Sequence, residues 1–215
     1  MPPNKNAVGF LAAAITKLEK DPMPGGLDGL SLALFDTTSR EMPFRLKVLF
    51  ANRWLFSGLI EAILAKDPAT NAMLRTTTAP TMLSASVKTN VLAIEAIATV
   101  NFRVHPRDTI GGIFDHVSAV VENDNVEVRP MAWDGFGLGQ PASKVSSWES
   151  KGYKNIEQSV KNIYGNVIVA PGLMVAASDS RHYGSVADNA DRFNPFPRTR
   201  DQLTISNGKK ARSGT

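Results

Sequence analysis

Asp179, Arg181 and His182 are the residues of this chain whose types and spacing could do chemistry. An imidazole can ligate a metal, and a guanidinium can clamp a carboxylate through paired N–H donors. The three lie in the stretch Pro171 to Tyr183, where the apolar run Leu173 to Ala177, bounded in front by Pro171 and Gly172, reads as a buried strand. Ser178 and Asp179 supply N-cap chemistry for a helix starting near Ser180. The polar group therefore falls at the carboxyl end of a strand and the first turn of a helix, the edge where open α/β sheets bind their ligands. The same residues also suit a plain helix cap followed by a histidine bonded to backbone, and their spacing fits both readings.

The elements that must position these residues come from a chain of 215 residues, enough for one large domain or two small ones. A hydrophobic share of 43% and a charged share of 20% are ordinary for a globular protein. The net charge of +4 is spread along the chain, apart from Lys209, Lys210 and Arg212 in a polar tail, so a nucleic-acid partner is not expected. No apolar run is long enough to span a bilayer, and Met1 to Lys5 has no hydrophobic signal-peptide core, so no membrane partner is expected. With no cysteine, disulfides and thiolate metal ligands are excluded.

Taken in order, Ala7 to Lys20 is an amphipathic helix with Val8, Leu11, Ile15 and Leu18 on one face, Asn6 as cap and Asp21 to Gly26 as stop. Leu27 to Lys66 reads as a helical hairpin or triplet broken at Pro43. After Pro68 the composition shifts toward strand at Thr76 to Thr78 and Thr81 to Ser86. Ala96 to Val104 is the clearest strand, with Ala96, Ala98, Val100, Phe102 and Val104 on one face and Arg103 on the other. Asp108 is expected to cap a helix running to Glu122, and Asn125 to Met131 alternates as a further strand. This order is a split βαβ layout without its first strand. Gly- and Ser-rich residues 133–150 read as a linker, followed by a second α/β piece over 151–205 and a tail over 206–215. In that piece a helix with Tyr153, Ile156, Val160 and Ile163 inward precedes a strand at Val167 to Ala170.

Pro171 to Val175 followed by Ser178 to Tyr183 resembles the C-terminal signature of the zinc aminoacylase/carboxypeptidase family, whose members include acetylornithine deacetylase, succinyl-diaminopimelate desuccinylase and the Gly-X carboxypeptidases. Its carboxypeptidase-S-like branch, which includes enzymes acting on N-fatty-acyl amino acids, is the most similar. Four other stretches agree in order. Met1 to Asn4 with Ala7 to Gly9 resembles the start of the lid helix, and Arg75 to Met82 a lid strand. Asn90 to Leu92 with Ala98 to Arg103 resembles the substrate-facing hairpin, and Val145 to Ser147 the re-entry into the catalytic domain.

The resemblance implies an α/β (α+β) fold: a ferredoxin-like lid and dimerisation domain over 1–132 with a helical insert at about 27–66, plus the C-terminal segment of a two-zinc catalytic domain. It implies His182 as a metal ligand, Arg181 as the group binding the substrate's free carboxylate, and Asn90 and Arg103 reaching toward substrate from the lid. It also implies two zinc ions per complete site, a homodimer formed through the lid, and a small N-acyl amino acid or peptide as substrate. The family's bridging aspartate, Glu-Glu pair and first histidine are not in this sequence, whose histidines are His105, His116 and His182. His116 reads as a surface or packing residue and His105, before Pro106, as turn structure. A catalytic zinc takes about three protein ligands, so the expectation is a part of a hydrolase, inactive alone, within a parent about twice this length. Two departures from the family pattern stand out: Ala93 and Ile94 after Asn90 to Leu92, and Ser206 to Lys209 in place of a His- and Glu-bearing run. A non-catalytic dimerisation module of the same family is the alternative, and an unrelated α/β binding protein with a capped helix is the third reading.

Overall fold

The structure, a computed structural model, describes residues 3–131, 139–176 and 178–196. Helix α1, Ala7–Lys20, begins where the Asn6 carboxamide accepts from the Gly9 N–H at 2.9 Å. Three helices then form the insert: α2 (Gly29–Ser39), α3 (Phe44–Ala51) and α4 (Arg53–Leu64). They close on a small core of Phe35, Phe50 and Ile60, with the rings of Phe35 and Phe50 stacked at 5.7 Å. A short α5, Pro68–Leu74, which the sequence reading left unassigned, precedes the strands. Asp67 caps it through Ala69 and Thr70, and Pro68 occupies its first turn, where a missing N–H costs nothing.

Strands β1 (Thr77–Ser84) and β2 (Ile97–Arg103) pair antiparallel, from Thr77 opposite Arg103 to Ser84 opposite Ile97. The register slips between Pro80 and Met82. A proline cannot donate to the ladder, so a bulge beside it is the expected accommodation. Helix α6, Ile110–Val121, packs with α1 on one side of this hairpin. Their shared core is Ala14, Leu18, Met23, Ile113, Val117 and Val121, closed by Phe102 and Val104 from the β2 end. The described residues thus combine helices with a small antiparallel sheet. The cap of α6 is Thr109, whose hydroxyl accepts from Gly112, and not Asp108, whose carboxylate is taken by the Thr76 hydroxyl at 2.6 Å.

Three expected strands do not form ladders. Val126 and Val128 do pack on the α1–α6 core, so the alternation of Asn125 to Met131 is real, yet no neighbouring strand bonds to it. Val167 to Ala170 and Leu173 to Val175 are likewise outside any ladder, and Ala177 lies outside the described residues. Apolar alternation selects a face, but a strand also needs a partner for its N–H and C=O groups. Among the described residues the only sheet is β1–β2. Helix α7, Lys151–Tyr164, forms and is capped by Ser150, but it buries none of its residues, and Ile163, expected inward, is exposed.

Candidate functional site

The expected helix at Ser180 is a single short 3₁₀ helix, Asp179–Ser185, with Ser178 as its cap and Asp179 already inside its first turn. Arg181 is half-buried there and donates from Nη2 to the Pro141 carbonyl at 3.1 Å. His182, the next residue, is exposed. Arg103, the last residue of β2, points away from the core that Phe102 and Val104 close. Its Nη1 donates to the Val175 carbonyl at 3.0 Å, 72 residues along the chain. The end of β2 is thereby tied to the stretch that carries Arg181 and His182. Asn90 sits apart, exposed in a turn of the β1–β2 connection.

Two residues missed in the sequence hold this neighbourhood together. Arg192 donates to the Ser180 hydroxyl and, at 3.0 Å, to that of Ser143. Asn189 accepts from the Ser147 N–H at 2.7 Å, and the Ser146 hydroxyl accepts from Ala190 at 2.8 Å. Segment 139–150, read as linker, is thus stitched along the 180–192 segment. Periodicity carries no trace of such pairings, because both partners are irregular backbone.

Arg103 and Arg181 are held by backbone carbonyls, and among the described residues neither forms an ion pair. A guanidinium has five N–H donors, so each keeps donors for a ligand carboxylate. A metal centre is another matter. Among the described residues no group of three or more His, Asp or Glu side chains could hold a metal ion.

The remaining histidines are structural. His116 Nε2 meets the Asp21 carbonyl at 3.1 Å, joining α6 to the end of α1. His105 is buried, and its Nδ1 accepts from the Arg107 N–H at 3.3 Å. Burial holds its pKa below the ordinary imidazole value, helped by the Arg107 cation and opposed by Asp28 and Asp108. It belongs to a polar junction between insert and lid. There the fully buried Thr76 hydroxyl accepts from the His105 N–H, Arg107 reaches Asp28 and the Leu74 carbonyl, and Arg75 bonds Glu61 at 2.7 Å.

Residues 2–129 match the peptidase dimerisation domain family. The chain is 39% identical over 196 residues to a probable carboxypeptidase S-like protein of Dictyostelium discoideum, covering 91% of this chain and 37% of that protein. It is 37% identical over 198 residues to an N-fatty-acyl-amino acid synthase/hydrolase of Danio rerio, covering 91% and 37%. For the N-fatty-acyl-amino acid synthase/hydrolase of Homo sapiens the identity is 34% over 198 residues, covering 91% and 38%. The chain thus spans less than two fifths of the length of these curated relatives. No solved structure matches.

Proposed function

Since the chain belongs to the M20 peptidase family, in its carboxypeptidase-S-like branch, we propose that it is the lid and C-terminal catalytic segment of a metal-dependent hydrolase cleaving N-acyl amino acids or C-terminal peptide bonds. The observation that carries this reading is the bond from Arg103 to the Val175 carbonyl, which draws a lid guanidinium to the stretch bearing Arg181 and His182. The part played by these residues is recognition: Arg181 and Arg103 bind the free carboxylate of the substrate, and Asn90 approaches from the hairpin. His182 contributes one ligand to a two-zinc centre whose remaining ligands lie outside this chain. No chemical step runs through this chain alone.

The packing of the C-terminal part supports incompleteness. From residue 139 onward only Pro171 is buried among the described residues, and α7 buries none of its residues. Ile163, Ile168, Met174 and Val186 are exposed, and the Tyr153 hydroxyl is shut from solvent without a hydrogen-bond partner among the described residues. An amphipathic helix with an uncovered apolar face needs another layer to rest on. The lid offers a route to a homodimer: Met82, Leu83, Ile94 and Ile97 are exposed on the hairpin arm, and among the described residues each strand has an unpaired edge. The core is confined to the lid and insert, which is what favours the alternative of a non-catalytic dimerisation module.

The test is a chimera in which residues 3–196 replace the matching segment of the Dictyostelium discoideum relative. Hydrolysis of an N-fatty-acyl amino acid is expected, with His182→Ala abolishing turnover and Arg181→Ala raising KM by at least tenfold. A folded, active chimera indifferent to both changes refutes the assignment. The isolated chain is expected to take up zinc weakly and to turn over nothing. Tight, near-stoichiometric zinc with turnover would contradict that.

A further inference from the structure

Helix α4 is apolar on two sides. Phe56, Ile60 and Leu64 face the insert core, while Leu55, Leu59 and Ile63, one turn apart on another face, are exposed at 61, 49 and 39%. On α3 the i, i+4 pair Phe44 and Val48 is exposed at 78 and 40%, and Trp54 at the α3–α4 corner at 80%. A surface helix of a globular protein normally turns charge outward here. Patches of this kind on a soluble protein mark a surface for something else.

The charges around the patch say what covers it. Arg40, Arg45, Lys47, Arg53 and Lys66 are all exposed in the segment 40–66, against Glu41 and the Arg75-bound Glu61. Arg40, Lys47 and Arg53 line one shallow depression of about 630 Å³ together with Phe50, Ala51 and Trp54. Asp36 on its rim is paired with Arg53. Cations and large aromatics thus share one surface. A second copy docking face to face would bring like charges together. An anionic bilayer surface meets both demands, taking Trp, Phe and Leu into the acyl boundary and the Lys and Arg heads at the phosphates.

We propose that the α3–α4 face of the insert docks on an anionic lipid surface, with Phe44, Trp54 and Leu55 entering the interface. This goes beyond the hydrolase reading and does not depend on it. It also revises the expectation of no membrane partner, which rested on the lack of a spanning segment. Among the described residues no helix is long and apolar enough to cross a membrane, and lying on a surface requires none.

The test is co-sedimentation of the full chain with phosphatidylcholine vesicles, with and without 30% phosphatidylserine. Binding is expected only with phosphatidylserine and is expected to weaken with salt. Trp54→Glu together with Phe44→Glu should abolish it, with an unchanged circular dichroism spectrum. Arg45→Gln and Lys47→Gln, which leave the apolar face intact, should each weaken it by roughly fivefold. Absence of binding, or binding that survives these changes, overturns the proposal. So does a dimer in sedimentation velocity that Trp54→Glu disperses, because the occupant would then be a second copy.

Discussion

A methyl group at Gly25 will loosen the helical insert from the lid. A Cβ built there lies 2.1 Å from Glu61 Oε1, 2.5 Å from Arg75 Nη2 and 2.9 Å from its Cζ. These are ends of side chains, so they can move, but they are joined to each other at 2.7 Å and Arg75 also donates to the Met23 carbonyl at 3.2 Å. Moving them aside breaks the pair, and Arg75 has little water to turn to, its side chain being only 12% exposed. A charged hydrogen bond is worth roughly 1.5–3 kcal/mol. Glu61, at 31% exposure, keeps some solvent screening, which reduces the expected loss to about 1–2 kcal/mol. For a chain of this size that corresponds to a fall in Tm of about 2–8 °C. Thermal and urea unfolding of Gly25→Ala read the loss directly. In a Glu61→Ala background the same change should cost measurably less, because the pair is already gone. An unchanged midpoint for Gly25→Ala, or strict additivity with Glu61→Ala, would refute the close packing at this loop.

Two further outcomes follow from the same junction and its surroundings. Burial depresses the His105 pKa in the folded chain, whereas the unfolded chain protonates it near the ordinary value of about 6.5. Its share of stability is therefore present above that value and lost as pH falls below it, the unfolded state binding the extra proton. The stability of His105→Gln, followed by urea unfolding from pH 7.5 to 5, should fall less steeply than that of the native chain. Glu122 ends α6 at φ +35°, a conformation that favours glycine. Glu122→Gly should raise stability by about 0.5–1 kcal/mol, read from the urea midpoint at constant m.

For α1 the sequence alone was enough. Ala7 to Lys20 carries cap, period and stop within its own residues, and such local signals act wherever the chain is. The β2 strand, with Arg103 opposite the core face, was legible for the same reason. Asp67-Pro68 was an equally local signal for α5 and went unread. The family, too, lay in the order of short motifs, and with it the candidate role of Arg181 and His182.

Other features depended on residues far apart in the chain. Asn125 to Met131, Val167 to Ala170 and Leu173 to Val175 have the composition of strands but no neighbour to bond with among the described residues, and composition cannot supply one. Whether Thr109 or Asp108 caps α6 turned on Thr76, 32 residues upstream, which claims the Asp108 carboxylate. The tie of Arg103 to Val175, and of Arg192 to Ser180 and Ser143, likewise needed the folded chain. The outward face of Phe44, Trp54, Leu55 and Leu59 is the plainest case. In the sequence these residues are indistinguishable from core. Only packing decides which side of a helix finds a partner, because hydrophobicity is a property of a residue and burial is a property of its neighbours.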